Sequence, residues 1–123
     1  MISKFIVHQH RAGKHHYDLR FIQNDRLRSW SLLKEPPRLP GEKRLAIERE
    51  RFESKAMYGR LFYEEAFGQG GVAVWDEGEL DLEPVSDQHM ILTFSGLKMS
   101  GRYELRRMRW YPGNRWILQK MEP

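Results

Sequence analysis

The sequence predicts an all-β protein, a small closed or partly closed β-barrel of about eight short strands with one helical or irregular segment. Three observations predict it. Eight stretches alternate apolar and polar residues with period two, the mark of strands with one buried face. Between them sit combinations of Asn, Asp, Gly and Pro that supply the fixed or positive φ of tight reversals. Only residues 49–67 leave room for a helix.

Taken in order, the first strand is Lys4 to His8 and the second Tyr17 to Ile22, joined through the Arg11-Ala12-Gly13-Lys14 turn. Asn24-Asp25 reverses the chain into a third, Arg28 to Leu33; Pro36-Pro37 and Pro40-Gly41 lead to a fourth, Arg44 to Ile47. In RERFESKAMYGRLFYEEAF, Ser54, Lys55, Ala56 and Met57 lack β-branching and Gly59 interrupts them, which suits a helix or an ordered loop. FGQGG at 67–71 lacks a following Lys-Ser/Thr, so it predicts a turn or bulge rather than a phosphate loop. The fifth strand is Val72 to Trp75, ended by an expected turn at Asp76-Glu77-Gly78. Met90 to Phe94, Arg102 to Met108 and Trp116 to Lys120 complete the set, with turns at Ser95-Gly96 and Pro112-Gly113-Asn114. No repeat, low-complexity tract or linker divides the chain, so residues 1–123 are expected to form one domain.

Composition narrows the function classes. The absence of cysteine excludes a disulfide scaffold, thiolate zinc sites and cysteine nucleophiles, and leaves His, Asp, Glu or water to hold any metal. It points to a reducing compartment. No apolar run approaches the roughly 20 residues that span a bilayer, so the expectation is a cytoplasmic protein with no membrane partner. The net charge of +4 hides a partition: residues 1–60 carry +7, residues 61–97 carry −8 and residues 98–123 carry +5. If the fold joins the two basic ends, a polyanion such as nucleic acid is the natural partner; the alternative is a solvated surface with uneven charge.

The chemistry concentrates in HQHRAGKHHYDLR, residues 8–20, which holds four of the five histidines. Alternation along a strand sends His16, Asp18 and Arg20 to one face and Tyr17, Leu19 and Phe21 to the other. Adding His10 from the preceding strand gives two imidazoles and a carboxylate, a facial set suited to Mn²⁺, Fe²⁺ or Zn²⁺ with positions left for water and substrate. Arg20 on the same face offers a planar fork to an anion, phosphate above all. Ser31, Lys34 and Arg44 converge on it if their strands are neighbours. Against this stand a plain Arg20–Asp18 salt bridge, three unrelated surface residues, and a non-haem iron or cupin-like enzyme, which shares the two-His, one-carboxylate set.

KFIVHQHRAGKHHYDLRF, SWSLLKEPP, KRLAI, FGQGGVAVWDEGEL, LKMSGRYELRRM and WILQK together resemble the 3'-phosphoesterase domain of bacterial non-homologous end-joining DNA ligase D and its stand-alone relatives. The resemblance implies a small β-barrel, a Mn²⁺ site, and removal of a 3'-phosphate or 3'-ribonucleotide from DNA or DNA/RNA primer ends to leave a 3'-OH. It places the metal ligands on His10, His16 and Asp18, the phosphate-binding arginine on Arg20, and further active-site cations on Lys34 and Arg44. His8 stands where the family has glutamine; the family's later histidine and tyrosine fall on Phe52 and Ala56. Arg49, Arg51, Tyr58, Arg60, His8 or His15 are the donors nearest that gap. Substrate contacts are expected from Arg20, Lys34, Arg44, His8 and Lys14, and backbone contacts from Lys14, Arg102, Arg106, Arg107 and Arg109. Trp110 is expected to stack on a base, while Trp30, Trp75 and Trp116 suit the core. A separate ligase, polymerase or end-joining protein is the implied partner. Phe52 and Ala56 leave one alternative: a catalytically impaired nucleic-acid-binding repair module.

Overall fold

Asn24 and Asp25 both adopt positive φ, 52° and 62°, and this two-residue reversal closes a hairpin between β2 (His16–Gln23) and β3 (Arg26–Leu32). Paired left-handed residues match the right-handed twist of the flanking strands, which is why Asn-Asp serves here. The computed structural model describes residues 1–11, 14–49, 72–110 and 113–121. The other strands are β1 (Ile2–His10), β4 (Lys43–Glu48), β5 (Val72–Ser86), β6 (His89–Ser95), β7 (Ser100–Arg107) and β8 (Arg115–Lys120). All pairings are antiparallel, and the sheet closes in the order β1-β2-β3-β4-β8-β7-β6-β5, with β5 returning to β1. Among the described residues there is no helix, hence none long and apolar enough to cross a membrane.

Each of the eight expected strands is present, and one expected turn is not. Asp76-Glu77-Gly78 lies inside β5, which runs for 15 residues. The pairing of β1 with β5 shifts between Val7 and His8, where Trp75 is the extra residue of a β-bulge. Asp76 is buried beside this bulge. Its carboxylate accepts from the backbone N–H of Glu77, Leu97, Lys98 and Met99 at 2.7–3.0 Å. The aspartate thus fixes a distant turn, between β6 and β7, instead of making one locally. Gly78 is required by close approach: a Cβ there would lie 2.4 Å from the Ser95 carbonyl oxygen.

An eight-stranded barrel has an interior that side chains just fill. Phe5, Val7, Leu19, Phe21, Trp30, Leu82, Phe94, Tyr103 and Trp116 belong to that fill. Edge-to-face contacts lock it, Phe5 on Phe94 at 4.7 Å and Trp30 on Trp116 at 5.5 Å between ring centroids. Arg28 also points inward, 2.8 Å from Glu48 and stacked over both tryptophans. The Tyr103 hydroxyl donates to the Pro37 carbonyl at 2.5 Å and so ties the β3–β4 loop to the barrel. Burial, aided by the negative charge of Asp76, pushes that phenol up to about 12. The expected helix or loop beyond Arg49, the FGQGG run, Phe52 and Ala56 lie outside the described residues, as do Arg51, Tyr58 and Arg60.

Candidate functional site

With Phe5, Val7, Leu19, Phe21, Trp30 and Leu32 turned inward, alternation sends His8, His10, His16, Asp18, Arg20, Ser29 and Ser31 to the outer face of β1–β2–β3. Register then aligns them. His10 pairs with His16, His8 with Asp18, Asp18 with Ser31, and Arg20 with Ser29. A one-residue slip of either hairpin would send half of this set into the core.

The geometry converges on one oxygen. Asp18 Oδ2 lies 2.8 Å from His10 Nε2, 3.4 Å from His16 Nε2 and 3.5 Å from Arg20 Nη2. The two imidazoles stack, 4.3 Å between centroids and 7° between planes. His16 Nδ1 lies 3.2 Å from the Lys14 carbonyl. A carbonyl only accepts, so Nδ1 carries the proton in that contact and the Nε2 lone pair of a neutral ring faces the carboxylate. His10 Nε2 is buried and, although close to Asp18, has no aligned hydrogen bond. The three ligand atoms lie within 4.8 Å of one another. Two imidazoles and a carboxylate, one ring oriented by a backbone carbonyl, fit a divalent ion.

The surrounding groups fix this cluster. Ser31 Oγ donates to Asp18 Oδ1 at 2.6 Å and accepts from Arg49 Nε at 3.0 Å. Arg20 Nη1 donates to His8 Nδ1 at 2.8 Å and Nε to Ser29 Oγ at 3.3 Å. Arg20 is 9% exposed and Asp18 5%, so the charges act where water screens them weakly.

The structure therefore brings together His10, His16, Asp18, Arg20 and, through Arg20, His8. Lys14 and His15 are exposed at the mouth of the β1–β2 connection. Lys34 is exposed where the chain leaves β3. Arg44 is turned to the β3–β4 loop: Nε donates to the Glu35 carbonyl at 2.6 Å, Nη1 to the Lys43 carbonyl at 2.9 Å, and Nη2 to Glu42 Oε2 at 3.2 Å. The backbone N–H groups of Leu39 and Arg38 hold the Glu42 carboxyl below its usual range, so it stays ionised opposite Arg44. Trp110 is 94% exposed beside the exposed Arg109, and Trp30 and Trp116 are in the core. Arg102 and Arg106 flank Glu104 on the outer face of β7.

Sequence reasoning missed Ser29 and the linking role of Ser31; their only signal is alternation on either side of Trp30 in RSWSL. Arg49 was legible only as one donor among several. Lys43 was passed over in favour of Arg44, although Lys43 shares outer parity with Leu45 and Ile47.

A sequence model of the DNA Ligase D 3'-phosphoesterase domain matches residues 8–107. The multifunctional non-homologous end joining protein LigD of Mycolicibacterium smegmatis is 32% identical over 133 residues, covering 98% of this chain and 17% of the relative. The protein of the same name from Mycobacterium bovis is 30% identical over 125 residues, covering 98% and 16%. That from Pseudomonas aeruginosa is 34% identical over 116 residues, covering 85% and 13%. The chain thus spans less than a fifth of the length of these relatives.

Proposed function

The chain belongs to the DNA Ligase D 3'-phosphoesterase domain family, and from that premise we propose that it is a metal-dependent phosphoesterase that trims DNA 3' ends for end joining in the cytoplasm. It removes a 3'-phosphate or a 3'-ribonucleotide and leaves a 3'-OH on which a separate ligase or polymerase acts. The observation that carries this reading is the convergence of His10, His16 and Arg20 on Asp18 Oδ2. A buried guanidinium 3.5 Å from the carboxylate that would hold the ion suits a site that binds an anion such as phosphate through metal and arginine together.

His10, His16 and Asp18 would hold the ion, Mn²⁺ by the family resemblance. When bound, a divalent cation supplies charge to a phosphate oxygen and lowers the pKa of water. Arg20 receives the remaining phosphate oxygens, and its orientation is fixed in advance by His8 and Ser29, so little freedom is lost on binding. Ser31 holds Asp18 with Oδ2 facing the histidines, and Arg49 holds Ser31. Lys34, free to swing at the strand end, neutralises charge that develops on the phosphoryl oxygens. Hydrolysis forms a bond from water oxygen to phosphorus and breaks the bond from phosphorus to the 3'-oxygen, which takes up the proton the water releases.

The experiment is incubation with a 3'-phosphorylated primer and Mn²⁺, with chelator and His16→Ala as controls. Phosphate release lost in both controls supports the assignment, and release that survives His16→Ala overturns the site. Tight binding to the primer without release favours the impaired repair module that Phe52 and Ala56 left open.

A further inference from the structure

Next to the phosphate site, on the outer face of β3 and β4, is a hollow of about 310 Å³ lined by Ser31, Leu33, Lys34, Lys43, Arg44, Leu45 and Ile47. Its floor is apolar. Leu33 and Leu45 are 56% and 47% exposed, and Ile47 is the cross-strand partner of Ser31. Large aliphatic side chains on the outside of a barrel serve no core, since the inward positions of β4 are Ala46 and Glu48. The rim is cationic, from Lys34 and Lys43, and the Arg44 side chain beside it is held by acceptors of Glu35, Glu42 and Lys43. The hollow also adjoins the triad through Ser31, which lines it and donates directly to Asp18.

Resting on the phosphoesterase reading, we propose that this hollow seats the sugar and base of the 3'-terminal nucleoside, the one bearing the scissile phosphate. The phosphate lies at Arg20 and the triad, one residue beyond Ser31. The next group along a nucleic-acid strand is an apolar-faced nucleoside, and the group after that is a second phosphate. The surface repeats this order as guanidinium, aliphatic floor and, at the end of the Ile47–Leu45 row, Lys43. At about 310 Å³ the space is at the small end of ligand sites, roughly 300–1,000 Å³, and admits one nucleoside rather than two. Leu33, Leu45 and Ile47 present neither donor nor acceptor to a base edge, so the subsite accepts all four bases and gains from burial of the base's apolar face alone. A purely apolar occupant is disfavoured by the lysine rim.

The test compares two strands that carry the same 3'-phosphate, one ending in an ordinary nucleotide and one in an abasic tetrahydrofuran residue, by kcat/KM with Mn²⁺. The expected ratio in favour of the base-bearing end is about tenfold, the gain from burying roughly 50–60 Å² of apolar base surface on the aliphatic floor. In Leu45→Ser/Ile47→Ser the ratio falls to about one, and in the conservative Leu45→Met it is retained, which separates loss of the floor from loss of the fold. A ratio of one in the wild type, or a ratio that survives the double substitution, overturns the proposal. Should neither strand be hydrolysed, the parent reading fails instead. Emission from a 3'-terminal 2-aminopurine then judges the hollow alone: a change on binding wild type but not the double variant supports it, and equal changes in both overturn it.

Discussion

Replacing His16 by alanine separates the ligand role from a structural one, because the ring contributes little to the fold. It is about one-third exposed, and its contacts are the stack on His10, a 3.2 Å exposed hydrogen bond to the Lys14 carbonyl and the 3.4 Å approach to Asp18 Oδ2. Losing those costs about 0.5–1 kcal/mol. For 123 residues the unfolding entropy is about 0.26 kcal/mol/K, from about 2.1 cal/mol/K per residue. The metal-free protein should therefore melt within about 2–4 °C of wild type. Mn²⁺ at 100 times its dissociation constant stabilises wild type by about 2.7 kcal/mol, a rise of about 10 °C. If loss of one of three ligands weakens binding 100-fold, the same Mn²⁺ adds only about 0.4 kcal/mol, under 2 °C. Thermal melts by circular dichroism, with and without Mn²⁺ and with chelator, read both quantities. The reasoning is refuted by a Mn²⁺ shift in His16→Ala equal to that of wild type, by no shift in wild type, or by a metal-free melting temperature that falls by 10 °C.

Three further outcomes follow from contacts around the site and the core. Ser31→Ala removes the 2.6 Å bond that orients Asp18. Mn²⁺ affinity by calorimetry should drop about 10- to 100-fold, with Ser31→Thr close to wild type. Tyr103 titrates near 12 when folded and near 10 when unfolded, so the unfolded chain loses its proton first. Stability is full below pH 10 and declines by roughly 2–3 kcal/mol between pH 10 and 12; denaturant titrations should show that decline in wild type and a flatter profile in Tyr103→Phe. Gly96→Ala sets a methyl 2.4 Å from Asp76 Oδ2 and 2.7 Å from the Phe5 ring. The carboxylate is tied by four amides and cannot retreat, so urea unfolding should show a loss of about 2 kcal/mol or more.

What the sequence disclosed and what it concealed divide along the range of the interaction. All eight strands were visible because alternation is local, and so was the β2–β3 hairpin, whose Asn24-Asp25 carries its own turn chemistry. Asp76-Glu77-Gly78 misled for the complementary reason. The three residues have the local chemistry of a reversal, yet Asp76 spends its carboxylate on amides 21 to 23 residues away, and Gly78 answers to a carbonyl on β6. Nothing within a short window distinguishes an aspartate that makes a turn from one that braces another turn across a sheet. A closed or partly closed barrel was expected, but not which edges meet: the pairings of β1 with β5 and of β4 with β8 follow from no periodicity within a strand.

The site shows the same division more sharply. His10, His16, Asp18 and Arg20 were legible because one hairpin supplies all four, and its register follows from the alternation of Phe5, Val7, Leu19 and Phe21 into the core. Parity on β4 was equally available and points to Lys43, whose outward row with Leu45 and Ile47 faces the Ser31 side; Arg44 occupies the inward parity at the barrel end and so meets the loop carbonyls. Ring order adds the last element. In an eight-membered circuit β4 stands opposite β5, and the outward positions of β5 are Glu77, Glu79, Asp81 and Glu83. A polyanion is repelled from that side and drawn to the β3–β4–β8 side, where Lys34, Lys43, Arg49 and Arg115 lie. The charge partition along the chain, acidic in the middle and basic at both ends, becomes a direction of approach only when the barrel closes.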